Sequence, residues 1–451
     1  MTAGTSELLD ALAAVDPADL VRFLATRRWF GAKGRPVASA SLHDLAPIPG
    51  EPATLACVRV LFSDGAHADH QLPLAIHAGP DPIATVGAAT LVDALTVPAI
   101  RGRLARAFAR GETFTGSSCR WTFESTGDAT LEDLPAHLTD GEQSNTSIIF
   151  GERAILKMYR RLEPGPHPEV EVGTYLTRAG FRGAPPLLGA ARLDNASGTS
   201  VTATIQRFMP GAVDGWSHVL ASLRADQDLT DELTALGAVT RELHTILAEN
   251  EDPDFAPEAT LPSDLNAWHS ATATQARTAL TTLAERKHTL PASVLPDVDR
   301  VLAHAGALIT KLPAPRDPDG LGPRTRHHGD YHLGQVLRTT HDWQILDFEG
   351  EPARPLAERR IKHHPLRDVA GMLRSFAYAA AVATPDSAPR TEEAMRAAFL
   401  AGYDPTLAED PNQTDLLALF TAEKLFYELA YELGSRPAWV WIPLVGLVAR
   451  L

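Results

Sequence analysis

The 451-residue chain reads as an α+β protein of two lobes, β-rich in its N-terminal half and helical in its C-terminal half. Three observations predict this. Apolar residues alternate in short strand-like runs as far as about residue 208, then recur at helical spacing from about Asp228 onward. The chain is too long for one ordinary core, which argues for two or three subdomains. Hydrophobic residues make up 44% and charged residues 22%, a globular rather than a disordered composition. A ligand is expected in a cleft between lobes, where binding sites usually form.

Taken in order, Ser6–Ala14 and Ala18–Ala25 read as short helices, followed by the Gly-flanked basic turn RRWFGAKGR (Arg27–Arg35). Thr54–Phe62 and His70–Ile76 alternate as strands do. Ala89–Arg110 reads as a helix broken at Pro98. Residues 113–126 and 146–159 read as strands, rich in branched apolar residues; Glu169–Gly180 reads as a helix that stops at its glycine, and 201–208 as another strand. These divide into a cap over residues 1–90 and a lobe over 91–207. Over 208–451, Asp231–Glu249 and Ala267–Leu290 are amphipathic, with breaks at Pro253, Pro257 and Pro262. Helices follow near Asp368–Ala381, Thr391–Tyr403 and Thr414–Leu433.

Lys and Arg number 41 against 56 Asp and Glu, a net charge of −15 that argues against general binding of nucleic acid or anionic lipid. Two cysteines, Cys57 and Cys119, are too few for a disulfide framework or a four-thiolate metal site, so a reducing cytoplasmic setting is expected. The acidic N-terminus lacks the basic region of a signal peptide. The longest apolar stretch, Ala438–Ala449, contains Pro443 and is too short to span a bilayer.

The chemistry concentrates in two segments: RHHGDYHLGQVL (326–337) and ILDFEGE (345–351). Phosphoryl transfer asks little of a protein. One carboxylate positions the acceptor hydroxyl and takes its proton; a second carboxylate and a neutral oxygen donor hold Mg²⁺ against the phosphates. Asp330, Gln335 and Asp347 have the types and spacing for these roles. His327, His328 and His332 have no accompanying metal-binding partner motif, and Mg²⁺ prefers oxygen; His328 is expected to hydrogen-bond backbone near the loop. Arg359, Arg360, Lys362, His363, His364 and Arg367 read as a solvated loop. Trp29, Phe30, Trp216, Trp268 and Trp343 read as core.

His328-Gly-Asp-x-His-x-x-Gln335, followed by Asp347-Phe-Glu, resembles the signature of aminoglycoside phosphotransferase-like kinases. That family carries Asn where this chain has Gln335; both offer an amide oxygen. The variant with Gln335 and DFEGEP resembles the narrower group of bacterial maltokinases. Arg28–Arg35, Glu142–Ser147, Ile155–Lys157, Asp347–Arg360, Pro365–Phe376 and Tyr427–Leu444 extend the likeness over nearly the whole chain, including to the kinase-like part of trehalose synthase fusions.

The resemblance implies a bilobal protein-kinase-like fold with an N-terminal cap, and an ATP- and Mg²⁺-dependent maltokinase that makes maltose 1-phosphate for α-glucan (glycogen) synthesis from trehalose. It implies Asp330 as the base and Gln335 and Asp347 as metal ligands. Lys157 would meet the nucleotide phosphates, held by Glu171, with Glu169 the competitor. Ser144, Asn145, Thr146 and Ser147 would cover the phosphates; Gln206 and Phe208 would offer adenine a backbone acceptor and donor. Maltose is the implied partner, with trehalose synthase beside it. The sugar site is expected on the helix around Tyr427, Glu428, Tyr431 and Glu432, with His332, Glu349, Glu351 and Arg354 at its rim. The alternative there is a core helix whose glutamates pair with Arg436 or another arginine. Two rival functions stand: a kinase of the same fold acting on glucosamine or an aminoglycoside, and an inactive module that binds trehalose synthase.

Overall fold

The structure, a computed structural model, describes residues 3–31, 35–79, 81–87, 89–126, 131–139, 145–315, 317–352 and 354–451. The chain forms two compact units, Met1–Arg178 with Pro185–Pro210 and Pro355–Ala357, and Ala179–Ala184 with Gly211–Arg354 and Glu358–Leu451.

The first unit holds two antiparallel sheets. One is built on Ala53–Phe62, which pairs with Val37–Pro47, His67–Gln71 and Leu74–Ile76; Arg161–Leu162 closes one edge, and Ala89–Asp93 with Ala84–Val86 the other. Alternation along the central strand sends Ala56, Val58 and Val60 toward Leu20, Phe23 and Trp29. It sends Leu55 and Cys57 toward Phe114, Trp121 and the helix Pro98–Arg110. Each face is thus filled by a different core, as the period of two requires. Trp29 is buried, as its sequence context predicts, and both cysteines are free thiols.

The second sheet runs in the order Thr113–Thr115, Arg120–Ser125, Leu187–Asn195, Gly198–Arg207, Ala154–Tyr159, Asn145–Phe150 and Ala136–Leu138. The helix Pro168–Ala179 ends at Gly180, whose φ of +73° suits a residue without Cβ.

Two expectations fail in this unit, and two strands lie outside any expectation. Ala89–Asp93 is a strand, because LVD pairs with Leu74–Ile76 and helical spacing yields to that sheet; only Pro98–Arg110 is helical. The run His70–Ile76 is divided at Leu72–Pro73, since proline cannot donate to a ladder. Val37–Pro47 and Leu187–Asn195 are strands that alternation alone does not disclose.

The second unit is helical. Thr230–Ala248, Pro262–Arg286, Leu366–Ala383, Ala388–Tyr403 and Pro411–Ser435 are its long helices. Pro262 opens a helix rather than only breaking one, because a first-turn proline forfeits no helical hydrogen bond. A core of Ala276, Leu283, Val298, Phe426, Leu429 and Leu444 joins the helices Pro262–Arg286, Leu295–Ala303, Pro411–Ser435 and Trp441–Val448. A three-stranded ribbon, Val213–Asp214, Val336–Arg338 and Trp343–Ile345, carries the motif segments. Among the described residues, no helix is long and apolar enough to cross a membrane.

Candidate active site

The motif loop owes its shape to one buried carboxylate. Asp368, in the first turn of Leu366–Ala383, accepts the backbone N–H groups of His328 at 2.7 Å and Gly329 at 2.9 Å. It also meets His244 Nε2 at 3.2 Å, while His244 Nδ1 lies 3.0 Å from the Tyr403 hydroxyl. Burial alone would raise the Asp368 carboxyl; the neighbouring His327 and His244 overcome it and hold the group well below the usual carboxylate range. Gly329 has φ of +86°, and a Cβ there would sit 3.2 Å from the Gly350 Cα, so glycine lets the two motif segments approach.

Further pins follow along the loop. His328 Nε2 donates to the Leu346 carbonyl at 2.7 Å, the backbone contact expected of it. The Tyr331 hydroxyl bonds Thr240 at 2.7 Å, and the Leu333 N–H donates to Ser375 Oγ at 3.0 Å. The ribbon pairs Val336 with Ile345, and the Leu346 N–H donates to the Gln335 carbonyl at 2.9 Å. Gln335 and Asp347 therefore flank the same end of the ribbon. Asp347 adopts φ of +66°, a conformation that non-glycine residues keep mainly where surroundings impose it. His332 is influenced by both Asp330 and Asp347, while burial lowers its pKa. Asp330, Gln335 and Asp347 thus lie on two segments that approach each other at Gly329 and Gly350, and they offer two carboxylates and an amide oxygen, hard donors of the kind that Mg²⁺ takes.

Asp330 opens onto a cavity of about 650 Å³ within this unit. Its walls include His332, Tyr427, Glu428, Tyr431 and Glu432, so part of the expected sugar site lies beside the expected base. Tyr427 and Tyr431 are 37% and 46% exposed, their rings 6.4 Å apart. The glutamates behave as the structural alternative described. Glu428 receives Arg374 through both Nε and Nη2, the latter at 2.8 Å; Glu432 receives Arg436 and the Tyr378 hydroxyl. Burial pushes the Glu428 carboxyl up, and Arg374 only partly reverses it.

Glu349, Glu351 and Arg354 are not among the described residues lining this cavity. Glu351 pairs with Arg354 at 2.7 Å and accepts from the Tyr427 hydroxyl, so it supports the wall from behind. Trp216, expected in the core, lines the cavity, as do Arg374, Ser375, Tyr378, Lys424 and Trp439. These had a signal. Gly371, Arg374, Ser375 and Tyr378 repeat at 0, 3, 4 and 7 on the helix Leu366–Ala383, and Lys424, Tyr427, Glu428 and Tyr431 do so on Pro411–Ser435. The basic stretch after Arg359 is no solvated loop: His364 is buried, Lys362 reaches the Pro253 carbonyl and Glu258, and Arg367 pairs with Glu423.

In the first unit, Lys157 lies on Ala154–Tyr159, paired in register with Ser147 and Thr204. Of the two candidate partners, Glu169 is buried and accepts from the Gln206 side chain, and Glu171 is half-buried. Asn145, Thr146 and Ser147 begin the strand Asn145–Phe150; Ser144 lies outside the described residues. The Phe208 N–H donates to the Arg153 carbonyl at 2.9 Å, so the donor expected there is already used within the sheet.

Residues 138–409 match the phosphotransferase enzyme family, and residues 23–96 match the maltokinase N-terminal cap domain. A glucosamine kinase of Mycolicibacterium smegmatis (strain ATCC 700084 / mc(2)155) is 31% identical over 332 residues, covering 69% of this chain and 78% of that protein. Another, of Streptacidiphilus jiangxiensis, is 29% identical over 333 residues, covering 69% and 72%. Among solved structures, a glucosamine kinase in complex with glucosamine, ADP and inorganic phosphate matches with a TM-score of 0.67 at 24% identity, over 99% of both chains. A glucosamine kinase in crystal form B matches at 0.68 and 23% identity, over 97% and 98%.

Proposed function

This chain belongs to the phosphotransferase enzyme family, with its kinase-like α+β fold and an N-terminal cap, and on that premise we propose that it transfers the γ-phosphoryl group of ATP to the anomeric hydroxyl of maltose. The observation that carries this reading is the opening of Asp330 onto an aromatic cavity of about 650 Å³ in which charge is balanced. Arg374, Lys424 and Arg436 stand against Asp330, Glu428 and Glu432, and two of those carboxylates are already held by arginine. Such walls suit a neutral sugar, whose C–H faces lie on tyrosine and tryptophan rings while its hydroxyls meet paired charges. The match to the maltokinase cap supports the same choice.

Asp330 orients the acceptor hydroxyl and takes its proton as the oxygen attacks the γ-phosphorus and ADP departs. Gln335 and Asp347 would hold Mg²⁺, which when bound would offset charge on the phosphoryl oxygens. Lys157, kept in place by Glu171 or Glu169, binds the nucleotide phosphates, with Asn145, Thr146 and Ser147 beside them and Gln206 offering adenine its backbone acceptor. The product, maltose 1-phosphate, enters α-glucan synthesis in the cytoplasm, with trehalose synthase as the supplier of maltose.

A second reading, phosphorylation of glucosamine, is favoured by the names of the two relatives. An ammonium group needs a carboxylate with lone pairs to spare, and Glu428 and Glu432 are each engaged by an arginine. A coupled assay with ATP and maltose, glucosamine, glucose or kanamycin separates the readings. Maltose is expected to give the highest kcat/KM; a higher value for glucosamine replaces it, and turnover of none of the four removes both.

A further inference from the structure

Arg160 follows directly on the strand that carries Lys157, yet its guanidinium turns inward and is only 2% exposed. Its Nη1 lies 3.5 Å from the Gln71 carbonyl oxygen, and three further contacts leave it. Nη2 donates to Asp93 Oδ2 at 2.6 Å, at the end of Ala89–Asp93 and within the 23–96 stretch that matches the cap domain. Nε donates to the Thr146 hydroxyl at 2.8 Å. The plane lies over the Trp29 ring, 4.8 Å from its centroid. The Arg160 carbonyl in turn accepts the Gln71 N–H at 2.6 Å. A buried charge is costly unless its hydrogen bonds are met, and a planar fork meets several at fixed angles where an ammonium cannot. The side chain and carbonyl of Arg160 therefore tie Trp29, Gln71 and Asp93 to the strand on which the phosphate-covering segment ends.

We propose that Arg160 is a positioning residue through which the N-terminal cap sets the phosphate-covering segment at Thr146, so that nucleotide affinity depends on the cap while sugar affinity does not. This rests on the kinase reading given above. Its consequence is that a residue with no role in the chemistry controls the KM for ATP.

The test is a double-mutant cycle of Arg160→Lys and Thr146→Val in the full chain, read by ADP binding in calorimetry, KM for ATP, KM for maltose and thermal midpoint. Arg160→Lys keeps a charge opposite Asp93 but loses the fork; Thr146→Val keeps the shape and loses the acceptor. Each single variant is expected to weaken ADP binding and raise the KM for ATP roughly tenfold, the worth of one charge-assisted hydrogen bond. The KM for maltose should stay unchanged, and the double variant should be no worse than the single ones, because both remove the same contact. A lowered thermal midpoint with unchanged ADP binding reduces Arg160 to a structural residue and overturns the proposal. Multiplying effects overturn it as well, since Thr146 would then act without Arg160. Wild-type protein that binds no ADP removes the kinase reading, and this role with it.

Discussion

A carboxylate that takes a proton from a sugar must be held still by bonds that leave its own oxygens uncommitted. The loop achieves this indirectly: Asp368 grips the two backbone N–H groups just before Asp330, and Tyr331 and Leu333 are fixed just after it. Asp330→Asn should therefore leave the loop and ADP binding intact while turnover falls about 10²–10⁴-fold, the usual worth of general-base help. Calorimetry with ADP beside initial rates checks both halves. A variant that keeps more than about a tenth of wild-type turnover would leave Asp330 with orientation alone.

The two helices Leu366–Ala383 and Pro411–Ser435 make most of the cavity wall, and each does so with one stripe. Gly371 brings the first helix against the loop; a Cβ there would stand 2.6 Å from the Tyr331 carbonyl oxygen. On the second, Tyr431 is exposed and stacked near Tyr427, so Tyr431→Ala removes ring area without opening a core cavity. It should raise the KM for maltose at least about fivefold, since one sugar–ring contact is worth roughly 1 kcal/mol or more, with the KM for ATP and the thermal midpoint unchanged. An unchanged sugar KM with a lower midpoint would make the helix structural. How much of this was legible differs by element. Asp330, Gln335 and Asp347 stand in two short motifs close in sequence, and the ribbon that pairs Val336 with Ile345 sets Gln335 near Asp347 along the backbone. The helical walls were half legible: Tyr427 and Glu428 stood out, yet Arg374 faces Glu428 from a helix 54 residues earlier. Spacing along one helix gives its stripe, but not which other stripe it meets. The same limit hid the strand Ala89–Asp93, whose identity depends on Leu74–Ile76 as its partner.

Across the whole molecule, several histidines are buried as neutral rings. His70 sits between Trp29 and Phe30, and burial lowers its pKa to about 4. His364 is lowered to about 4 by burial too, and its Nδ1 accepts the Leu366 N–H, which a protonated ring cannot do. The unfolded chain takes up these protons near pH 6.5, the folded chain only near pH 4. Stability is therefore complete above the higher value and falls as the pH drops through this window, by about 1.4 kcal/mol per unit for each ring. Denaturant midpoints measured at pH 7, 6, 5 and 4.5 (about the span of that window) should fall steadily; a flat profile would contradict the buried-neutral description. One feature of the chain's path reaches beyond the finished protein. Residues Ala179–Ala184 interrupt the first unit but belong to the second. There the Gly183 carbonyl accepts from Ile345, and the Arg182 carbonyl from Gln344, 162 residues later. On the ribosome, at roughly 5–20 residues per second, these carbonyls wait on the order of ten to thirty seconds for partners not yet synthesised, and Phe181, buried in the native state, belongs to the same unfinished unit. The nascent chain thus carries a sticky, unfinished segment through much of its own translation, and it is there that a chaperone would have most to protect.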